Sequence, residues 1–449
     1  MSALVCLGRR TVTGMIGTSG RQFVDWSGDY RLFSRPGRFR ADRLFDVVRA
    51  ALVDELDKEA PLVVAIDDSH LPKAGKKTFG VSWRRDPHKP HFMTGFLRAQ
   101  RILQISAAIP SASGPGGARM VPIDFCHAPT PQKPRASSAP TAWANYRKQK
   151  ELTNISRTGA KRISRLREAL DQEQQAKRDL IVTADGQFTN GTVLKNLPER
   201  TTLIGRVRKD TRLHFLPEAK VRTRGRAPSY GAPAPTPEAL LRDSSVPWQR
   251  ETVWAAGRTH ECRFKTLSPL RWRAAGEKLD LRLVVIAPLA YRPKKGSRLL
   301  YREPAYLIAT DPNLSIADLI QSYVWRWDIE VNFRDEKQLL GVGQAQVRNA
   351  PSVERVPQLI VAAYAMLLLA AHRVFGAGGV PDLLPAPKWR RGTPRRASTQ
   401  SLINHLRAEL WGQALGVNNN FSGFVPGGPG HTKPEKLLPH LSSAVLYAA

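Results

Sequence analysis

The chain has 449 residues, too many for one ordinary compact core, so two or three structural units are expected. Lys and Arg number 69 against 38 Asp and Glu, a net charge of +31 that favours nucleic acid as partner over a membrane surface or a merely solvated basic exterior. The cysteines are only three, Cys6, Cys126 and Cys262, widely spaced, which fits a reducing compartment and argues against a disulfide framework or a zinc-type cysteine pair.

The N-terminal MSALVCLGRR lacks the charge-before-apolar order of a secretory signal. Asp42 to Leu56 carries apolar residues at helical spacing. PLVVAID, residues 61–67, is a short apolar run rich in β-branched residues and predicts a buried strand that ends in acids. Further strands are expected at Thr78–Trp83, Arg101–Pro110 and Met120–Phe125. A long polar helix follows over 141–178, with Arg147, Lys148, Lys150, Lys161, Arg162, Arg165 and Arg167 along it. LIVTAD, residues 180–185, is again an apolar strand ending in an acid.

Residues 208–300 change character. The Pro/Gly/Ala-rich stretch 226–237 reads as a loop, and short strand-like runs follow at Glu251–Trp254, Cys262–Lys265 and Leu279–Ile286. Ala305–Thr310 predicts one more strand. Ser315, with Asp318 as its capping-box partner, opens a helix expected to run to Leu340 and stop at Gly341. An apolar helix is expected over about 353–374. Its uninterrupted apolar run, Leu359 to Ala371, is 13 residues, too short to span a bilayer, and reads as buried. The tail from 376 is Pro/Gly-rich and basic, with an amphipathic piece at Ser401–Leu415.

Three acids stand out. Asp68 and Asp185 follow apolar strands, and strands of an α/β sheet feed their C-terminal ends into a common crevice. Converging carboxylates suit hard cations such as Mg²⁺, and two such ions can activate a water or 3′-hydroxyl at a phosphodiester. Glu330 lies on the later helix. On one continuous helix Tyr323, Arg326, Glu330 and Lys337 share an arc about 60° wide, and Arg334 extends that face. Trp325, Ile329, Phe333 and Leu340 form an adjacent apolar stripe. The same face also reads as an ordinary surface network of ion pairs.

YVWRWDIEVNFRDEK, residues 323–337, matches the Y-x2-R-x3-E-x6-K signature of a large group of bacterial insertion-sequence transposases at all four positions. VAIDDSHLPKAGKKTFGV (64–81) and LIVTADGQF (180–188) resemble the segments that hold the group's first and second catalytic aspartates. The opening TVTGMIG and DWSGDYRLFSR resemble the DDE-endonuclease branch of these elements. The likeness spans about residues 10–375.

The resemblance implies an α/β protein: an RNase H-like catalytic core interrupted by a β-strand-rich insertion, with a helical N-terminal region and a basic C-terminal tail. The expected divisions are 1–60 for the helical N-terminal region, a candidate for binding DNA ends, 61–207 and 301–375 for the two parts of the core, 208–300 for the insertion and 376–449 for the tail. It implies Asp68, Asp185 and Glu330 as the metal triad, holding two Mg²⁺ ions with Mn²⁺ as the alternative. Tyr323, Arg326 and Lys337 would hold phosphates at the transposon end. Alternating strand geometry allows only one of Asp67 and Asp68 to face the metals, and alignment to the family favours Asp68. The expected partner is double-stranded DNA, transposon ends and target, bound by a homodimer in the bacterial cytoplasm on the nucleoid, with no membrane. A domesticated or defective transposase-derived DNA-binding protein is the alternative.

Lys73, Lys76 and Lys77, with Arg84 and Arg85, make the loop after Asp68 a candidate backbone contact. Trp248, Trp254 and Trp272 are candidates for stacking a flipped base, against the commoner fate of tryptophan as core. His88 and His91 lack the cysteine pair of a zinc site. GKKT at 75–78 lacks the first glycine of a phosphate loop, and KWRRGTPRR at 388–396 reads as a basic arm.

Overall fold

The computed structural model describes residues 1–415 except 38, 76, 87–88, 91, 112–115, 218–227, 256, 293–295 and 377–395. In chain order the elements are α1 (Ser2–Val5), α2 (Val12–Thr18), α3 (Ser27–Ser34), α4 (Leu44–Val53), β1 (Leu62–Pro72), β2 (Ser82–Arg85), β3 (Phe96–Pro110) and β4 (Ala118–His127). Then come α5 (Pro140–Leu152), α6 (Ile155–Gln172), β5 (Leu180–Ala184), α7 (Gly191–Leu194), β6 (Thr201–Arg206), β7 (His214–Phe215), α8 (Pro237–Arg242), β8 (Gln249–Ala255) and β9 (Arg258–Arg271). The last are β10 (Leu281–Ile286), β11 (Ala290–Tyr291), β12 (Leu300–Tyr301), β13 (Ala305–Ala309), α9 (Ile316–Trp325), α10 (Asp328–Gln338), α11 (Ala350–Phe375) and α12 (Thr399–Leu415). The chain forms two compact units, Phe45–Phe333 and Met1–Leu44 with Arg334–Ala449.

The unit Phe45–Phe333 is built on one mixed sheet, ordered β2-β3-β1-β5-β6-β13-β10-β9-β7, with β4 on β3 and β8 on β9. Its centre is parallel: β1 pairs β5, and β5 pairs β6. Leu62–Ile66 of β1 and all five residues of β5 are buried, the continuous apolar pattern of strands covered on both faces. On one side β3 runs antiparallel to β1 and β4 antiparallel to β3. This mixed α/β arrangement is consistent with an RNase H-like fold. On the other side β13, β10, β9 and β7 continue the same sheet antiparallel. The β-rich stretch after residue 208 thus extends the sheet from the edge at β6, a strand that sequence patterning did not reveal.

Two helices expected to be continuous are broken. Over 141–178 the chain forms α5 and α6, because Asn154 caps a fresh helix with its side chain on the Ser156 amide. Between Ser315 and Leu340 it forms α9 and α10. Ser315 caps α9 through the Asp318 amide, as expected. At Arg326, Trp327, Ile329 and Glu330 the amides bond three residues back, not four. This tighter winding moves Glu330 off the arc that a uniform helix would share with Tyr323.

In the other unit α11 packs on α1, α3 and α12, around Phe33, Val356, Ile360, Tyr364, Leu368 and Leu402. Arg407 donates to the carbonyls of Val5 and Cys6, and Arg355 to those of Leu32 and Phe33, so two arginines satisfy the ends of α1 and α3. Residues 396–411 of the expected tail are therefore folded, while Arg390, Arg391, Arg395 and the rest of 388–395 lie outside the described residues. Helix α11 has 26 residues, longer than its apolar run, and its most apolar window has a mean hydropathy of 1.6. Length and composition would let it cross a bilayer, but half of that window is buried within the protein.

Candidate active site

Parallel pairing between β1 and β5 stops at Ile66 and Ala184. The next residues, Asp67 and Asp185, thus emerge side by side at the C-terminal end of two neighbouring strands. β1 itself does not end there: Ser69–Pro72 keep pairing with Ala99–Ile102 of β3. The pleat sends Asp67 and Asp68 to opposite faces. Ile66, on the same face as Asp68, packs towards α6, where Gly159 has no room for a Cβ against Phe188 and Ile66. Asp67 is on the face that receives Arg326.

The two candidates for the first acid, Asp68 and its neighbour Asp67, have different partners. Asp68 accepts from Arg101 Nε at 2.7 Å and from Gln187 Nε2 at 2.5 Å, and is spent on these partners. Asp67 accepts from Arg326 at 3.3 Å and feels Asp185 directly. Burial first, and then the Asp185 charge, push the Asp67 carboxyl up to about 7 against the pull of Arg326. Asp185 itself accepts from the amides of Gln187 (2.9 Å) and Phe188 (3.3 Å), which shape the turn after β5. DGQF therefore supplies, in place of a further acid, a glutamine that ties the Asp185 turn to Asp68.

Arg326 is the hub. Its guanidinium reaches Asp67 at 3.3 Å and Glu330 at 3.6 Å and lies 5.6 Å from the Tyr323 ring centre. Burial works against its charge, but Tyr323, Asp67, Glu330 and Asp185 together hold its pKa above the ordinary arginine value. Burial also raises the Tyr323 hydroxyl, opposed by Arg326 and by Arg206 at the end of β6. Helix α9 is fixed for this by Gln321, which accepts from the Trp254 amide at 2.8 Å and donates to its carbonyl at 3.2 Å. Asn332 anchors α10 on the Met120 carbonyl at 3.0 Å. Trp327, in the turn between the helices, is 63% exposed.

Among the described residues no three His, Cys, Asp or Glu side chains are close enough to ligate one ion. Asp67, Asp185 and Glu330 nonetheless fit a hard divalent cation by donor chemistry, all carboxylate oxygen, and the raised Asp67 marks a carboxylate pair short of positive charge. In the structure Arg326 supplies the charge between Asp67 and Glu330.

The other expected contacts separate. Lys77 is exposed; Lys73 is half-buried, and burial lowers its amine to about 8. Lys76, His88 and His91 lie outside the described residues. Arg334 is paired with Asp335 at 2.8 Å, and Lys337 is half-buried; both belong to the unit of Met1–Leu44 and Arg334–Ala449. Trp248 lies under Lys265 (4.7 Å) and Arg263 (5.6 Å), and Trp248, Trp254 and Trp272 are all partly buried. Sequence reasoning did not single out Arg101, Gln187 or Arg206, and it weighed Asp67 only as the alternative to Asp68.

A family model described as DDE superfamily endonuclease matches residues 1–271, which hold Asp67, Asp68 and Asp185 and stop short of Glu330. No curated protein matches the chain.

Proposed function

Because the chain belongs to the DDE superfamily endonucleases, we propose that it is a DNA transposase, cutting double-stranded DNA at the ends of its own insertion sequence and joining the freed 3′ ends to target DNA. One observation carries this reading: Asp67 and Asp185 stand side by side beyond two parallel strands, and Arg326 links Asp67 to Glu330. Asp67, Asp185 and Glu330 would hold two Mg²⁺ ions, or Mn²⁺, which when bound activate a water or 3′-hydroxyl and stabilise the leaving oxygen.

Asp67 takes the first position and Asp68 a supporting one. Through Arg101 and Gln187, Asp68 fixes the Asp185 turn against β1 and β3. Arg326 offers a planar fork of donors and Tyr323 a hydroxyl, suited to orient the scissile phosphate. Lys337 follows them as a phosphate contact by motif spacing, Arg334 by its place on the same helix, and Lys73, Lys76 and Lys77 by charge. Two ends must be brought together, so the working form is a dimer on DNA, acting in the cytoplasm on the nucleoid.

The test is cleavage and strand transfer on DNA carrying the flanks of the coding region, with Mg²⁺, with EDTA and with Glu330→Ala. Metal-dependent cuts at the repeat boundary, lost in the variant, are expected. Binding without cutting under every metal condition would instead indicate a defective or domesticated DNA-binding protein.

A further inference from the structure

Helix α6 divides its charges between two fates. Arg167 is buried and donates to the carbonyls of Arg178 and Gln175, and Arg162 is paired with Asp124. Arg157, Lys161 and Arg165 face solvent instead. Four-residue spacing puts these three on one stripe, a charge every ~6 Å over about 12 Å. The stripe forms one wall of an open cleft of about 580 Å³. Gly191, Thr192, Lys195 and Asn196 line the other wall.

Four cations, Arg157, Lys161, Arg165 and Lys195, thus line the cleft with one acid, Glu168, which stands on α6 beside the first three. Arg157 also pairs with Glu151, an exposed contact that a phosphate can replace. Among the described residues Lys161 and Lys195 form no ion pair. The cleft is tied to the candidate active site by Asn190. Its side-chain amide donates to the Gln187 carbonyl (2.6 Å) and the Ser156 hydroxyl (2.9 Å), and its oxygen accepts from the Thr192 amide (3.0 Å). The Asp185 turn, the start of α6 and the start of α7 are therefore held together, and the cationic stripe leads away from that turn.

We propose that this cleft between α6 and α7 binds the phosphodiester backbone of the duplex that the acids cut, beside the scissile phosphate. Charge complementarity selects the occupant, a regular polyanion meeting a regular row of cations. The identity of that duplex rests on the function proposed above; binding itself does not.

The experiment is fluorescence anisotropy of a labelled random-sequence duplex with the full chain in EDTA, across a series of NaCl concentrations. No cleavage is needed. Lys161→Gln/Lys195→Gln should reduce the slope of log affinity against log salt by about 2 and weaken binding about tenfold or more near 0.1 M salt, since each neutralised phosphate contributes ~0.9 to the slope. Glu168→Gln should tighten binding about two- to threefold, a gain that misfolding cannot mimic. Lys58→Gln/Lys278→Gln, exposed lysines outside the cleft, is the charge-matched control. Equal slopes for the two double variants, or no gain from Glu168→Gln, would overturn the proposal and leave the nuclease reading untouched. A slope drop in a protein that never cuts would do the reverse.

Discussion

The crevice at Asp67 and the cleft at Lys161 lie on the same sheet-based unit and use charge in opposite ways. In the crevice the charges are half-buried and mostly answer one another, Arg326 serving Asp67 and Glu330 and Asp68 serving Arg101, while Asp185 repels Asp67. In the cleft the charges are exposed and of one sign except for Glu168. Buried charges must be compensated within the protein, so those in the crevice are positioned to about bonding distance and are costly to remove. Exposed cations cost little and are compensated by whatever polyanion arrives. Chemistry belongs in the first setting and capture in the second.

The sharpest break between the two is catalytic. Asp185→Asn should lower cleavage about a thousandfold, an effect of several kcal/mol expected for a lost metal carboxylate, while Lys161→Gln/Lys195→Gln at saturating DNA should leave the rate nearly unchanged. Single-turnover assays at two DNA concentrations check this.

The next effect is on stability without metal. The Asp67 carboxyl, raised to about 7, costs nothing below about pH 4, where folded and unfolded chains both bind its proton; the penalty builds as pH rises from about 4 to about 7, where only the folded chain still holds the proton, and is complete above that. Asp67→Asn should therefore stabilise the protein in EDTA at pH 8 by up to about 4 kcal/mol, and by nothing near pH 4. Thermal melts at the two pH values read this out; equal shifts at both would show that Asp67 carries no unanswered charge.

Smaller effects separate the two sides of α6. Arg167→Gln strips donors from two carbonyls and should cost about 3 kcal/mol in urea unfolding. Lys161→Gln, on the exposed stripe, should change stability by no more than about 0.5 kcal/mol.

The sequence made the strands legible wherever apolar runs were continuous, at β1 and β5, because burial on both faces demands such runs. It missed β6, whose TTLIGR begins with two threonines and holds a glycine. It joined α9 to α10 because residues on both sides of Arg326 keep helical spacing, while the tight turn shows only in the backbone hydrogen bonds there. The segments that carry Asp67, Asp68, Asp185 and Glu330 stood out in the sequence. Which of Asp67 and Asp68 meets Arg326 was not legible, since it depends on which face of β1 receives α9, and that is decided by partners far away in the chain. Arg162 and Arg167 looked like the rest of a basic helix; only the acid and carbonyls facing them distinguish them.

The most direct test compares Asp67→Asn with Asp68→Asn in Mg²⁺-dependent cleavage of DNA carrying the flanks of the coding region, with duplex binding measured alongside. The predicted result is that Asp67→Asn loses cleavage about a thousandfold, as a metal carboxylate should, and Asp68→Asn about 10- to 100-fold, as a supporting partner should, with binding kept in both. Near wild-type cutting by Asp67→Asn beside a dead Asp68→Asn would contradict the assignment of the first acid.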